Sequence, residues 1–249
     1  SSPCRPTPPL RTRILPRPCL CGPAAMPDQA GEQRCAWPLD KFKRAVGRHL
    51  DRQDTNQLAA VLLSGSLAPV NLGHLYMLRQ AKARVQHAGY SVCGGWLSPS
   101  DDAQASEKAR SRGAAALSTG LRLHLAELAA QEDDFISVAS WEASAGQSPS
   151  YVELLSSLQR ELVASLPGPL EGRQVTVFLV CGSHNGKFSA DLDIHKLQGL
   201  VVVPRRGIDT ILENPLQCIF VTEPVPGRLD NLNSLRLCEA LQSGDTAYA

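Results

Sequence analysis

The chain is expected to fold as α/β, with a doubly wound, mostly parallel sheet covered by helices on both faces. Three observations predict this. Short apolar runs alternate with helical patterns, the order that crossover connections between parallel strands require. The runs "AAVLLSG", "QVTVFLVCG" and "GLVVVP" are continuously apolar rather than alternating, as strands buried on both faces must be. Of 249 residues, 43% are hydrophobic and 20% charged, enough for one α/β domain of about 200 residues with a sizeable core.

The elements follow in order. Residues 38–53, "PLDKFKRAVGRHLDRQ", place Phe42, Val46 and Leu50 at helical spacing. Residues 59–65, "AAVLLSG", read as a buried strand, and 74–88, "HLYMLRQAKARVQHA", as a helix stopped by Gly89. "YSVCGGWL" at 90–97 is a second strand. The polar, small-residue stretch 98–120 reads as a loop. "LRLHLAELAAQ" at 121–131 is a helix and "DFISVASW" at 134–141 a strand. "SYVELLSSLQRELVASL" at 150–166 is a helix stopped by Pro167-Gly168. Strands follow at 174–182, 197–204 and 217–223, and a last helix spans 233–244 with Gly244 as its cap. No internal repeat is visible.

Lys and Arg total 25 against 24 Asp and Glu, a balance unlike that of nucleic-acid or anionic-membrane binders. No apolar stretch approaches the ~18–20 residues that span a bilayer. The cysteines, Cys4, Cys19, Cys21, Cys35, Cys93, Cys181, Cys218 and Cys238, form no CxxC pair and no Cys/His ladder, so no protein-held metal is expected. Reduced thiols in a cytosol-like compartment fit this usage. Residues 1–37 are rich in Pro and Arg and carry no acid before Asp28. They read as a disordered tail, as an upstream stretch ahead of a start at Met26, or as a transit-like segment. The domain is therefore expected over 38–249, cytoplasmic or nuclear, with organellar targeting by residues 1–25 as the alternative.

In a doubly wound sheet the ligand lies beyond the carboxyl ends of the strands, at the switch point. The stretch "SGSLAPVNLGH" at 64–74 follows the first strand. Gly65 and Ser66 have small or no side chains, so backbone N–H groups can approach an anion. His74 stands in the first turn of the next helix, whose N-terminus carries partial positive charge. The segment is neither GxxxxGK[ST] nor GxGxxG. An ordinary strand–helix turn capped by His74 fits the same spacing. The pair Arg205-Arg206 after a later strand suits a phosphate or a solvated turn alike.

Six segments together resemble the nucleotidylyltransferase superfamily, in particular its nicotinamide mononucleotide adenylyltransferases. "GSLAPVNLGH" is similar to their first signature, with Gly65, Ser66, Pro69, Gly73 and His74 in register and Asn71 at the place of a polar residue. "GGWLSPSDD" at 94–102, "LRLHLAELAAQEDDFISVASWE" at 121–142, "FLVCGSHNGKF" at 178–188, "GLVVVPRRG" at 199–207 and "NSLRLCEALQSGD" at 233–245 follow in the family's order. The resemblance implies a Rossmann-like nucleotidylyltransferase fold and an enzyme that moves AMP from ATP to nicotinamide mononucleotide, forming NAD and pyrophosphate. It implies His74 and Arg236 as catalytic residues on the triphosphate. Gly65, Ser66, Asn71, Gly182, Ser183, Asn233 and Lys108 would hold ATP and its phosphates. Trp141 and Arg122 would hold the nicotinamide nucleotide. Mg²⁺ would ride on the nucleotide phosphates. Partners would be small-molecule nucleotides, without nucleic acid or membrane, and a homo-oligomer is compatible.

The chain departs from the family in two places. Asn231 and Asn233 stand where hydroxyl residues precede the family's arginine, with Asp230 before them, and His184 replaces an acid after Gly182-Ser183. A cytidylyltransferase acting on a phosphorylated alcohol and a nucleotide-binding protein without turnover are the alternative readings.

Overall fold

A computed structural model describes residues 36–146, 148–183, 196–205, 207, 213–230, 232 and 234–243. The helices are α1 (Asp40–Asp51), α2 (Leu72–His87), α3 (Asp102–Arg110), α4 (Thr119–Ala130), α5 (Tyr151–Ala164), α6 (Gly227–Asp230) and α7 (Ser234–Ser243). The strands are β1 (Gln57–Gly65), β2 (Tyr90–Pro99), β3 (Ile136–Val138), β4 (Val175–Gly182), β5 (Leu200–Val203) and β6 (Ile219–Val221).

The six strands form one sheet in the order β3-β2-β1-β4-β5-β6. Every neighbouring pair is parallel. The order runs outward from β1 in one direction, then reverses and runs outward from β4 in the other. The chain therefore winds over both faces, and the crevice between the ends of β1 and β4 is the switch point.

The strands are continuously apolar because each face has its own core. On one face Ala59, Val61 and Leu63 of β1 join Leu75, Leu78 and Val85 of α2 and Leu123 of α4. On the other, Leu58, Ala60 and Leu62 join Phe42 and Val46 of α1 and Leu154, Leu158 and Leu162 of α5. Each fully buried Leu, Val or Phe among these contributes about 1.5–3 kcal/mol. The two glycines of "CGGW" are spaces taken by rings. A Cβ on Gly94 would lie 2.5 Å from the Trp96 ring, and one on Gly95 would lie 2.7 Å from Phe135.

Two expectations need correction. The stretch 98–120 is not all loop, because α3 occupies Asp102–Arg110 and α4 already begins at Thr119. Asp101 caps α3 by accepting the Gln104 N–H at 2.9 Å, and "DAQASEKAR" is composed of good helix formers. Only Ala105 of that helix is buried, so the apolar face that marks a helix in sequence is missing. The folded domain also reaches one residue beyond its expected start. Trp37 is 4% exposed, donates its indole N–H to Ser157 Oγ at 3.1 Å and stacks on Trp141 at 5.8 Å. The proposed Gly244 cap, Asn231, Asn233, His184, Arg206 and residues 1–35 lie outside the described residues.

Candidate functional site

A cavity of about 600 Å³ opens at the carboxyl ends of β1, β4 and β5. The loop from β1 into α2 forms its floor. Asn71 is the N-cap of α2: its side chain accepts the Gly73 N–H at 3.0 Å. In return, the Nδ1 of His74 accepts the Asn71 backbone N–H at 3.0 Å. This is a capping box with histidine in the place usually held by Glu or Gln. The bond decides the tautomer. With Nδ1 used as an acceptor, the proton of the neutral ring sits on Nε2. Burial, followed by the nearby charges of Lys108 and Arg205, pushes the His74 pKa down to about 4. The ring is therefore a neutral donor at physiological pH.

The turn preceding α2 is held in place from outside. Leu67 has φ +43, a left-handed conformation unfavourable for a residue with a branched side chain. Its side chain is only 3% exposed, so core burial offsets that cost. Arg122 of α4 is fully buried and donates from Nη1 to Ser66 O at 2.9 Å. Its remaining donors bond Leu117 O at 3.2 Å, Thr119 Oγ1 at 3.0 Å and Asp102 Oδ1 at 3.2 Å. Arg122 thus ties the 65–71 turn to α3 and α4 from behind. A third tie comes from α7, whose Ser234 hydroxyl donates to Pro69 O at 2.7 Å.

The predicted site residues divide accordingly. Gly65, Ser66, Asn71, His74, Lys108 and Gly182 line the cavity. An added Cβ on Gly65 would meet no protein atom within 4 Å, so that side of the glycine is open. Lys108 comes from α3, and surrounding protein together with Arg112 holds its ammonium below the usual range. Ser183 is buried and works one step back, its hydroxyl accepting the Arg205 N–H at 3.1 Å. Arg205 is half-buried and lines the cavity. Arg236 is exposed on α7, which contributes Ser234, Leu235 and Cys238 to the wall. Arg122 and Trp141 are not among the lining residues: Arg122 is committed to the turn, and Trp141 to Trp37.

Two residues at the site were not singled out from the sequence. Tyr151, at the first position of α5, lines the cavity. Glu142 follows Trp141 at the end of the segment after β3 and is 4% exposed. Its carboxyl accepts Ser64 Oγ–H at 2.9 Å from the end of β1 and Ser98 Oγ–H at 2.6 Å from the end of β2. Burial raises its pKa to about 7 against the opposing effect of those two hydroxyls. The sequence signal was an acid directly after a strand end, inside a segment otherwise read for its tryptophan.

Among the described residues no group of three or more His, Cys, Asp or Glu is arranged to hold a metal ion. Cys93, Cys181, Cys218 and Cys238 are free thiols. No described helix is long and apolar enough to cross a membrane.

Comparison with known proteins agrees with this architecture. No family model matches the chain. A nicotinamide/nicotinic acid mononucleotide adenylyltransferase of Oryza sativa subsp. japonica is 34% identical over 146 residues, which is 59% of this chain and 54% of that protein. Its namesake in Arabidopsis thaliana is 30% identical over 146 residues, 59% of this chain and 56% of that protein. The match therefore spans little more than half of each relative. The Plasmodium falciparum nicotinic acid mononucleotide adenylyltransferase complexed with APC superimposes with a TM-score of 0.50 at 13% identity, over 75% of this chain and 83% of that one. The same enzyme complexed with NaAD gives 0.51 at 12% identity, over 74% and 84%. By fold the chain is like the Plasmodium falciparum enzyme, and over 146 residues its sequence is similar to the two plant nicotinamide/nicotinic acid mononucleotide adenylyltransferases.

Proposed function

We propose that this chain transfers the AMP group of ATP to nicotinamide mononucleotide, producing NAD and pyrophosphate. One observation carries the reading. A neutral histidine with its donor proton on Nε2 stands at a helix N-terminus, in a cavity shared with Lys108 and Arg205. Such a set of pre-oriented donors suits charge that builds on phosphate oxygens in a transition state.

In this mechanism a phosphate oxygen of the acceptor attacks the α-phosphorus of ATP. The bond from that phosphorus to the bridging oxygen breaks, and pyrophosphate leaves with the electron pair. No covalent enzyme intermediate forms, so catalysis consists of positioning and charge stabilisation. His74 donates from Nε2 to a phosphate oxygen and stays neutral throughout. Lys108, Arg205 and, from α7, Arg236 balance the triphosphate charge. The N–H groups of the 65–71 turn line the approach, with Gly65 leaving room for the nucleotide. Arg122 and Ser183 act as positioning residues behind the wall. Mg²⁺ would arrive on the nucleotide phosphates, where it would neutralise charge on the leaving group.

The test is pyrophosphate release by the full chain with Mg²⁺ and ATP, with and without nicotinamide mononucleotide or nicotinic acid mononucleotide, and with CTP in parallel. Release that needs a pyridine mononucleotide and disappears in His74→Ala supports the proposal. Turnover with CTP and a phosphorylated alcohol would move the chain to the cytidylyltransferases. ATP binding without any turnover would leave a nucleotide-binding protein of the same fold.

A further inference from the structure

A second, smaller cavity of about 220 Å³ lies beside the start of β2, away from the carboxyl ends of the strands. Its walls come from the last turn of α1, the middle of α2 and the first residues of β2. Three cations converge on it from two helices: Arg48 and Arg52 from the end of α1, and Lys82 from α2. Arg48 and Arg52 make no side-chain hydrogen bond or ion pair among the described residues. The Lys82 ammonium is held 4.1 Å from the centre of the Phe135 ring, which fixes it on the wall. Between them lies His49, 5% exposed, with neither ring nitrogen in a hydrogen bond among the described residues. Its Nδ1 lies 3.4 Å from Asp54 Oδ2, within ion-pair distance but without hydrogen-bond geometry, and its Nε2 has no hydrogen-bond partner among the described residues.

A buried imidazole nitrogen without a hydrogen bond calls for an explanation, since such groups are nearly always satisfied. Basic residues at the end of a helix complement its dipole, which accounts for the presence of Arg48, His49 and the C-cap Arg52 there. It does not account for Lys82, which comes from another helix, or for the buried Nε2 of His49, which makes no hydrogen bond among the described residues. The two acids on the wall do not cancel the cations. Asp54 already accepts the Ser91 hydroxyl and the Asn56 N–H, the latter at 2.9 Å, and Asp134 is exposed. Three cations against two carboxylates leave a net positive wall. The space is smaller than the roughly 300–1,000 Å³ of sites for larger ligands.

We propose that this cavity is a second anion site that takes a phosphate group, either inorganic phosphate or the head of a small phosphomonoester. Arg48 and Arg52 close on the ligand from the solvent side, Lys82 supplies a fixed charge and His49 donates from the buried side. The site stands apart from His74 and does not depend on the reaction proposed above.

The experiment follows the ring signals of His49 and His74, assigned by triple-resonance spectroscopy in the full chain. Inorganic phosphate and glycerol 3-phosphate are titrated separately at constant ionic strength. The His49 signals should move saturably with at least one of them, and the one with the lower midpoint identifies the source. In Arg48→Ala/Arg52→Ala that midpoint should rise roughly tenfold or more, with the His74 signals responding as before. Both arginines are exposed, so the variant should keep its far-UV circular dichroism. A His49 ring that does not respond to either ligand, or that responds with the same midpoint in the double variant, overturns the proposal.

Discussion

Replacing Glu142 by glutamine tests the most unusual electrostatic feature of the molecule. The carboxyl is buried at the joint of β1 and β2 and keeps its proton up to about pH 7, instead of losing it near 4.5. The folded state therefore binds more protons than the unfolded one between those values. Stability contributed by the neutral acid is fully present below about pH 4.5 and declines as pH rises through 7. Above that, the buried carboxylate costs about 3 kcal/mol, from ~1.36 kcal/mol for each pH unit of difference. Glutamine is uncharged at every pH and can still bond both Ser64 and Ser98, one as acceptor and one as donor. Glu142→Gln should therefore match the parent at pH 4.5 and exceed it by about 3 kcal/mol at pH 8. For a domain of this size that is about 6–12 °C in melting temperature. Urea unfolding at a series of pH values, with the m-value unchanged, measures it. A gain of equal size at both pH extremes would falsify the assignment, because the effect would then come from packing and not from ionisation.

Other predictions follow from the same contacts. Arg122→Met leaves Ser66 O and Leu117 O without their donor, so it should cost about 3 kcal/mol in denaturant unfolding and reduce kcat more than Gly65 substitutions do. Gly65→Val enters open space, so the melting temperature should hold while ATP affinity, read by isothermal titration, falls sharply. Trp37→Ala removes both the ring stacked on Trp141 and the bond to Ser157. It should cost about 3–5 kcal/mol, and a change within 0.5 kcal/mol would mean that the domain starts at α1. A pH–rate profile should show no loss of activity from His74 titration between pH 6 and 8, since that ring stays neutral down to about 4.

Some of this molecule was readable from the sequence because the responsible forces act locally. The runs at 59–65 and 174–182 had to be buried on both faces, and helices between them had to supply the cover. This places the turn 65–71 at the carboxyl end of a central strand. Asn71 and His74 are three residues apart, so their mutual capping is a local matter. Helix α3 escaped notice because it rests lightly on the fold and has no apolar stripe, although its cap and its propensities were present. Trp37 escaped because its partners, Trp141 and Ser157, are far along the chain.

The sequence by itself determined the layer architecture and the crevice in which the candidate site lies. It did so through hydrophobic patterning and short-range spacing, which do not depend on knowing what touches what. Only the tertiary structure decided how the charged residues are used. Arg122 and Lys108 are both cations in neighbouring segments. One is buried with every direction of its guanidinium occupied, and the other faces the cavity. The Glu142 carboxyl holds its proton to a higher pH because two strand ends and a turn close over it. The charge state and accessibility of a side chain depend on the dielectric and donors around it, and those arrive from residues distant in sequence.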